Sequence, residues 1–174
     1  MIRVAINGFG RIGRSAFKVA VDKFSNEIEI VGINDLTDSK TLSHLLKYDT
    51  AYGIWDHKVS SDPAPDGAGQ DSIIVDQKAY KVYQEKEPAK LPWKDLGVDV
   101  VIESTGRFTD QEGMKQHLLA GAKKVILSAP AKGDGVGTLL IGVNASDYKG
   151  EQLVNNASCK IGRASCRERV CQYV

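Results

Sequence analysis

A glycine-rich turn near the start of the chain limits most strongly how it can fold. Arg3–Ile6 is a short apolar run that predicts a strand, and N-G-F-G-R-I-G follows almost at once. Gly8, Gly10 and Gly13 form the pattern G-x-G-x-x-G. Between a strand and a helix, the first glycine permits a tight turn, the second lets the backbone approach a pyrophosphate, and the third allows close helix–strand packing. The turn therefore predicts a βαβ unit that binds a dinucleotide.

An acidic residue follows at the position where such a unit needs one. Ile28–Ile33 predicts the second strand, and Asp35 lies just beyond it, 22 residues after Gly13. A carboxylate there accepts hydrogen bonds from a ribose diol and repels the 2′-phosphate of NADP. The N-terminus of the helix between the two strands offers unpaired N–H groups and a positive dipole end to the diphosphate. These features indicate NAD as the cofactor.

Strand and helix patterns alternate along most of the chain. The first helix is expected to bury one face, made of Ile12, Ala16, Val19 and Ala20. Further helices are predicted at Ser39–Leu46 and Gln111–Ala120, and further strands at Val98–Ile102, Val125–Leu127, Leu139–Val143 and Leu153–Val154. The turn-rich stretch Tyr48–Val82 predicts short antiparallel hairpin strands. We therefore predict an α/β fold, a Rossmann-type doubly wound, mostly parallel sheet with a small antiparallel excursion.

Composition argues against several classes of function. The chain has 174 residues and a formal net charge of +1, so no strong electrostatic attraction to nucleic acid or to an anionic membrane is expected. No segment reads as a signal peptide or a membrane span. The cysteines Cys159, Cys166 and Cys171 all fall in the last sixteen residues, with neither a disulfide framework nor a zinc-binding spacing. We expect a cytoplasmic protein that holds no metal.

Six motifs occur in an order that resembles one enzyme family. They are N-G-F-G-R-I-G, N-D-L-T-D, L-K-Y-D-T, E-S-T-G-R-F, S-A-P and N-A-S-C, spread from residue 7 to residue 159. Together they resemble the N-terminal half of the glyceraldehyde-3-phosphate dehydrogenases. The resemblance covers Met1–Cys159 and implies that residues 1–159 form an NAD-binding domain, whereas the family's catalytic domain is missing.

The resemblance also assigns cofactor contacts to individual residues. It implies that Arg11 and Ile12 lie over the pyrophosphate and that Asp35 binds the adenosine ribose. Lys86 is implied near the adenine, although E-K-E-P stands where the family more usually shows arginine. Ser128 is implied beside the nicotinamide. With Gly8, Gly10 and Gly13, these residues make up the expected NAD site.

The resemblance makes Cys159 the catalytic nucleophile and, together with Ser158, part of the substrate site. In the family the cysteine thiolate attacks glyceraldehyde 3-phosphate to form a hemithioacetal, which loses hydride and becomes a thioester. Inorganic phosphate then releases the product as an acyl phosphate, 1,3-bisphosphoglycerate. A free cysteine has a pKa of about 8.5, so the thiolate needs a nearby imidazolium or a helix N-terminus. The implied function is a phosphorylating step of glycolysis.

The resemblance stops directly after Cys159. Lys160–Val170 resembles the translation of a sequencing-adaptor oligonucleotide, and we therefore expect residues 160–174 to be an artefactual tail outside the family. The family's histidine base, much of its phosphate site and its main subunit contacts belong to its second half. We therefore expect this chain to bind NAD with little or no turnover, and the full-length family member to be a homotetramer. The three histidines, His44, His57 and His117, are expected to be surface or packing residues.

Three other functions stay open on the sequence alone. An erythrose-4-phosphate dehydrogenase shares the architecture, and the pocket residues that would distinguish it are largely absent from this chain. A semialdehyde or acyl-phosphate reductase has a similar domain and cysteine, but Asp35 favours NAD over the NADP that those enzymes generally use. The last alternative is a binding module that senses NAD without chemistry.

Overall fold

The computed structural model describes residues 1–62 and 71–156, which form three α-helices and eleven strands. The helices are α1 (Arg11–Lys23), α2 (Ser39–Lys47) and α3 (Gln111–Leu119), with short 3-10 helices at Pro88–Lys90 and Ala145–Asp147. The strands are β1 (Ile2–Asn7), β2 (Ile28–Asn34), β3 (Tyr48–Asp49), β4 (Gly53–Ile54), β5 (Val59–Asp62), β6 (Ser72–Val75), β7 (Lys78–Tyr83), β8 (Val100–Glu103), β9 (Lys124–Leu127), β10 (Gly137–Thr138) and β11 (Leu153–Asn155). None of these helices is long and apolar enough to cross a membrane.

Nine of these strands form one sheet with β1 at its centre. The spatial order is β10-β11-β9-β8-β1-β2-β7-β6-β5, and every pairing from β10 to β7 is parallel. From β1 the chain builds outward through β2 to β7, and it then returns to the other side of β1 to form β8. This reversal makes the gap between β1 and β8 a topological switch point. The predicted doubly wound, mostly parallel sheet is confirmed.

The antiparallel excursion extends this sheet at one edge. β5, β6 and β7 pair antiparallel, while the end of β7 joins β2 in parallel through the pairs Ile33–Val82 and Asn34–Tyr83. A separate antiparallel pair, β3–β4, precedes it. The predicted small antiparallel excursion is therefore confirmed, and the turn-rich loop at its centre, residues 63–70, lies outside the described residues.

Two apolar layers cover the two faces of the sheet. On β1, the side chains of Val4 and Ile6 join a buried cluster that contains residues of α1 and α2. Ala5, between them, joins a second cluster with Met114 of α3 and Trp93. Because successive strand residues point to opposite faces, the central strand is buried on both sides, as expected for a parallel strand.

The buried face of α1 differs from the predicted one. Of the predicted residues, Ala20 is buried and Ala16 partly buried, but Ile12 and Val19 are 51% and 46% exposed. The other buried residues of the helix are Gly13 and Phe17. Gly13 has no side chain, so the helix lies close to the glycine turn, and Phe17 fills the space beside it. A pattern based on apolar residues gives no weight to Gly13. The predicted face is therefore turned away from the face that is buried in the structure.

The strand predicted at Leu139–Val143 is not formed. This segment is a turn that leads into the 3-10 helix at Ala145–Asp147, and Ile141 within it is 93% exposed. The Asn144 side chain holds the turn, because its Oδ1 accepts a hydrogen bond from the Leu140 N–H at 2.8 Å and its Nδ2 donates to the Thr138 carbonyl at 3.0 Å. A positive φ of 82° at Gly142 completes the turn.

Candidate functional site

A crevice of about 770 Å³ opens at the switch point of the sheet. This volume lies in the usual range for small-molecule sites. It is lined by the carboxyl ends of β1 and β2 and by the loops that follow β1, β2, β7 and β8. The lining residues are Asn7, Gly8, Gly10, Asn34, Asp35, Leu36, Glu85, Lys86, Ser104, Thr105, Arg107 and Phe108.

The glycine turn after β1 is tightly packed at Gly8 and Gly13 and open at Gly10. Gly8 has a φ of +90°, and a Cβ atom there would lie 2.6 Å from the Thr105 nitrogen. A Cβ atom at Gly13 would overlap the Gly8 carbonyl oxygen. At Gly10, by contrast, a Cβ atom would meet nothing within 4 Å. The turn therefore leaves backbone accessible where Gly10 faces the crevice.

The N-terminus of α1 begins at this open position. Gly10 is its N-cap residue, and no side chain caps the helix there. The first helical hydrogen bond runs from the Arg14 N–H to the Gly10 carbonyl at 3.0 Å. The N–H groups of the first turn and the positive end of the helix dipole suit an anionic group in the crevice.

A cationic side chain supports the same turn. Arg14 Nη1 donates a hydrogen bond to the Phe9 carbonyl at 3.0 Å. Burial lowers the pKa of Arg14 from its ordinary value, while the carboxylate of Asp49 acts in the opposite direction. Because a guanidinium stays protonated in proteins, Arg14 adds a fixed positive charge beneath the glycine turn.

Asp35 is held at the mouth of the glycine turn. Its Oδ2 accepts a hydrogen bond from the Phe9 N–H at 2.7 Å, and its Oδ1 accepts one from the Thr37 N–H at 3.0 Å. A carboxylate has about four acceptor sites, so two remain for hydroxyl groups in the crevice. The residue that the sequence assigns to the ribose is thus attached to the turn assigned to the pyrophosphate.

The other predicted cofactor residues fall into two groups. Gly8, Gly10, Asp35 and Lys86 line the crevice. Arg11 and Ile12 are exposed at the start of α1 and do not belong to the lining, and Gly13 is buried beneath the turn. The structure therefore brings together the turn, the acid and the lysine.

The predicted nicotinamide and substrate residues lie apart from this group. Ser128 follows β9 and is partly buried, and its N–H donates to the Glu103 carbonyl at 3.0 Å. It stands at the same edge of the sheet without lining the crevice. Ser158 and Cys159 lie outside the described residues, and their predicted roles stay predictions.

Several residues of the crevice wall are not among the site residues predicted from the sequence. Arg107 and Phe108 line it within the E-S-T-G-R-F motif, and Asn7 and Asn34 line its floor. The asparagines end neighbouring strands and are direct register partners, with Asn34 Nδ2 donating to Asn7 Oδ1 at 2.7 Å. A sequence signal existed, because each asparagine closes an apolar run that predicts a central strand.

The crevice suits a dinucleotide and offers no metal site. Open glycine backbone, an uncapped helix N-terminus and a carboxylate with two acceptor sites left for hydroxyl groups adjoin one another, as the parts of a dinucleotide require. Within residues 1–62 and 71–156, no cluster of three or more His, Cys, Asp or Glu residues could hold a metal ion.

Comparison with known proteins agrees with this geometry. Residues 2–111 match the family model described as glyceraldehyde 3-phosphate dehydrogenase, NAD binding domain. The chain is 52% identical over 160 residues to the glyceraldehyde-3-phosphate dehydrogenase of Thermotoga maritima and 51% identical over 164 residues to that of Borreliella burgdorferi. Each alignment covers 91% of this chain and 46% of the relative, so the chain spans less than half of their length. The chain belongs to the glyceraldehyde 3-phosphate dehydrogenase family, and its cofactor is NAD.

Proposed function

We propose that this chain is the cofactor-binding part of an NAD-dependent, phosphorylating dehydrogenase that oxidises glyceraldehyde 3-phosphate to 1,3-bisphosphoglycerate in glycolysis. The observation that carries the proposal is the hydrogen bond between the Phe9 N–H and the Asp35 carboxylate, at 2.7 Å. It joins a pyrophosphate-binding turn to a ribose-binding acid in one crevice. Residues 1–159 are the proposed NAD-binding domain.

The proposed cofactor contacts follow the geometry of the crevice. The backbone around Gly8 and Gly10 and the first turn of α1, with Arg11 and Ile12, bind the pyrophosphate, because open N–H groups there suit an anion. Asp35 accepts hydrogen bonds from the adenosine ribose. Its negative charge and its two backbone hydrogen bonds disfavour a 2′-phosphate at the same place.

Two further contacts are proposed at the ends of the cofactor. Lys86 is the proposed neighbour of the adenine, since it lines the crevice beyond Asn34 and Asp35. Ser128 is the proposed neighbour of the nicotinamide, since it follows β9 on the far side of β8 from the adenosine end. These assignments set the cofactor across the switch point from β2 to β9.

NAD, when bound, supplies the hydride acceptor. The proposed nucleophile is Cys159, and Ser158 beside it is a proposed part of the substrate site. The support is the N-A-S-C motif, which begins one residue after the end of β11. β11 runs parallel to β9, so its carboxyl end lies at the edge of the sheet that carries the crevice.

The proposed partners of the full-length protein are glyceraldehyde 3-phosphate, inorganic phosphate and three further copies of the chain, in the cytoplasm. Exposed apolar side chains on α2 and the β3–β4 hairpin support a subunit contact, among them Leu45, Tyr48, Tyr52 and Ile54. Sedimentation of the full-length protein measures the number of subunits.

The test uses the gene recovered from source DNA, read beyond codon 159 and expressed at its natural length. We expect NADH to form with glyceraldehyde 3-phosphate and phosphate, and Cys159→Ser to abolish it while NAD still binds. If erythrose 4-phosphate were turned over faster than glyceraldehyde 3-phosphate, erythrose 4-phosphate would be the substrate instead. NAD binding without turnover of either aldehyde would refute the proposed activity and leave a binding module.

A further inference from the structure

Five buried polar side chains form a continuous hydrogen-bonded series beneath the crevice, which we call the polar chain. Four of its members, including Glu103, are no more than 1% exposed, and the fifth, Asn34, is 5% exposed. In order, the members are Trp93, His117, Glu103, Asn7 and Asn34. The NAD contacts proposed above involve none of these side chains directly. Buried polar groups are costly unless they are paired, so the arrangement calls for a physical reason.

At one end of the polar chain, the indole of Trp93 decides where His117 carries its proton. Trp93 Nε1 lies 3.1 Å from His117 Nδ1. An indole N–H can only donate, so Nδ1 must accept and the imidazole proton must be on Nε2. His117 Nε2 then donates to Glu103 Oε2, at 3.0 Å.

At the other end, the backbone of Glu85 decides the orientation of the asparagines. The Glu85 N–H donates to Asn34 Oδ1, and Asn34 Nδ2 donates to the Glu85 carbonyl, both at 2.9 Å. Backbone groups cannot exchange these roles, so the Asn34 amide is fixed. Its Nδ2 also donates to Asn7 Oδ1 at 2.7 Å, which leaves Asn7 Nδ2 to donate to Glu103 Oε2 at 2.5 Å.

Glu103 receives donated hydrogens from both directions. Besides Asn7 and His117 on Oε2, its Oε1 accepts from the N–H and the hydroxyl of Thr105, the N–H at 2.8 Å. All four donors are neutral groups. Only a carboxylate, with acceptors on both oxygens, satisfies all four. Every hydrogen-bond direction in the polar chain is therefore determined by groups at its ends that cannot change.

We propose that Glu103 is a positioning residue for NAD and that His117 acts through it. Glu103 holds Asn7 and Thr105, which end or follow the two strands at the switch point and both line the crevice. The Thr105 nitrogen is also the atom closest to the missing Cβ of Gly8, at 2.6 Å. The floor under the glycine turn is thus fixed by the Glu103 carboxylate.

The positioning role explains why a carboxylate is buried here. A buried carboxylate without a cationic partner adds little to stability, because its desolvation costs about as much as its hydrogen bonds return. Its hydrogen bonds instead fix Asn7, at the end of β1, relative to Thr105, which follows β8, and a neutral apolar side chain would leave the two free to shift. The proposal deepens the proposed function and rests on its cofactor-binding step.

The first test replaces Glu103 by glutamine. The new NH2 group opposes either Asn7 Nδ2 and His117 Nε2 or the Thr105 N–H, so at least one donor that cannot accept loses its acceptor. We expect Glu103→Gln to weaken NAD binding about tenfold in calorimetry of the 174-residue chain, well below its thermal midpoint. Glu112→Gln, the same change at an exposed position on α3, is expected to stay within twofold.

A second pair of variants separates positioning from a merely structural role. A glutamine at position 117 can accept from Trp93 and donate to Glu103, whereas phenylalanine fills the volume and does neither. We expect His117→Gln to keep wild-type NAD affinity and His117→Phe to lose it several-fold. Equal affinity in both variants, with only the thermal midpoint of His117→Phe lowered, would overturn the proposal.

Nitrogen NMR of the imidazole gives a readout that does not depend on NAD. We expect His117 to show a protonated Nε2 and an unprotonated Nδ1, and a proton on Nδ1 would contradict the hydrogen-bond directions. A wild-type chain that binds no NAD would overturn this proposal together with the proposed function. Wild-type binding matched by Glu103→Gln would overturn the positioning role alone.

Discussion

Phe9 and Asp35 are 26 residues apart in the sequence, and a 2.7 Å hydrogen bond joins the Phe9 N–H to the Asp35 carboxylate. Phe9 lies between the first two glycines of the turn, and Asp35 follows β2 directly. The carboxylate proposed to accept from the ribose therefore also fixes the backbone proposed to face the pyrophosphate. On this proposal cofactor selectivity and turn geometry are coupled, and a change at Asp35 should affect both.

Replacing Asp35 by asparagine tests this coupling. The amide keeps one acceptor oxygen, but its NH2 group opposes either the Phe9 N–H or the Thr37 N–H. We expect NAD affinity to fall about tenfold or more, since hydrogen bonds to a charged group contribute about 1.5–3 kcal/mol. The preference for NAD over NADP should shrink as well, because the repulsion of the 2′-phosphate is lost. Calorimetric titration with both cofactors measures the two effects.

Asp95→Asn provides the matched control, since Asp95 is exposed and does not line the crevice. It makes the same change in net charge, and its NAD and NADP affinities should equal those of the wild type. If Asp35→Asn bound NAD as tightly as this control does, the carboxylate would have no part in the site.

The first βαβ unit could be predicted from sequence because its signals are local. The strand before Gly8, the helix after it and the acid at Asp35 each depend on neighbouring residues. The face of α1 is predicted only in part, because the burial of Phe17 depends on rings from other elements, among them Phe9 and Tyr80 at centroid distances of 5.5 and 4.8 Å. Tertiary packing, which periodicity does not report, decided that face.

The polar chain under the crevice could not be predicted for a related reason. Trp93 and His117 are 24 residues apart, and Asn7 and Glu103 are 96 apart. Nothing in the local sequence pairs these residues. His117 is predicted to be a surface or packing residue, and the structure buries it. The predicted strand at Leu139–Val143 failed because the side chain of Asn144 holds a turn there, and the apolar residues Ile141 and Val143 within the run stay 93% and 70% exposed.

Gly8 is the position where a side chain is least tolerable in the turn. Alanine at Gly8 combines a φ of +90° with a Cβ placed 2.6 Å from the Thr105 nitrogen. We expect Gly8→Ala to lower the free energy of unfolding by about 3 kcal/mol or more, as the sum of backbone strain and overpacking. Urea denaturation followed by circular dichroism measures the difference.

Gly53→Ala separates the two contributions. Gly53 also has a positive φ, +75°, but a Cβ atom there meets nothing within 4 Å. We expect this variant to lose only about 1 kcal/mol, from backbone strain alone. Similar losses in the two variants would mean that the contact with Thr105 contributes nothing.

Phe17 is the centre of the packing between α1 and the antiparallel excursion. It is fully buried and makes edge-to-face contacts with the rings of Phe9, Trp55 and Tyr80. We expect Phe17→Ala to lower the free energy of unfolding by about 3–5 kcal/mol, through lost burial and the cavity that remains. The control, Val19→Ala, changes an exposed residue of the same helix and should cost about 0.5 kcal/mol or less. If Val19→Ala lost more free energy of unfolding than Phe17→Ala in urea denaturation, the buried face would be the one predicted from periodicity.

His57 joins α1 to the turn between β6 and β7. Its Nδ1 hydrogen-bonds to Asp76, and its Nε2 lies 3.0 Å from Asp22 Oδ1. Both contacts need a ring proton, so the imidazolium form satisfies them together. The hydrogen bond to Asp76 is the largest cause that raises the pKa of His57, with burial acting against it, and the same bond holds the pKa of Asp76 below its usual value.

The sign of the pH dependence follows from these two directions. A histidine whose pKa is raised on folding stabilises fully below its unfolded pKa, about 6.5, and loses that contribution as pH rises through the folded value. Asp76 acts in the opposite sense, and its contribution is lost only in acid, as pH falls through its lowered pKa. The contact should therefore stabilise the fold most in the mildly acidic range between the two groups.

Replacing His57 by glutamine should remove this pH dependence. We expect the wild type to exceed His57→Gln in free energy of unfolding most clearly near about pH 5–6, and the gap to narrow as pH rises towards about 9. Lys47 Nζ donates to the His57 carbonyl at 2.7 Å, a bond to backbone that the substitution leaves in place. His44→Gln, which removes an exposed histidine of α2, controls for histidine loss in general. A gap between wild type and His57→Gln that widens with rising pH would show that the imidazolium opposes the fold.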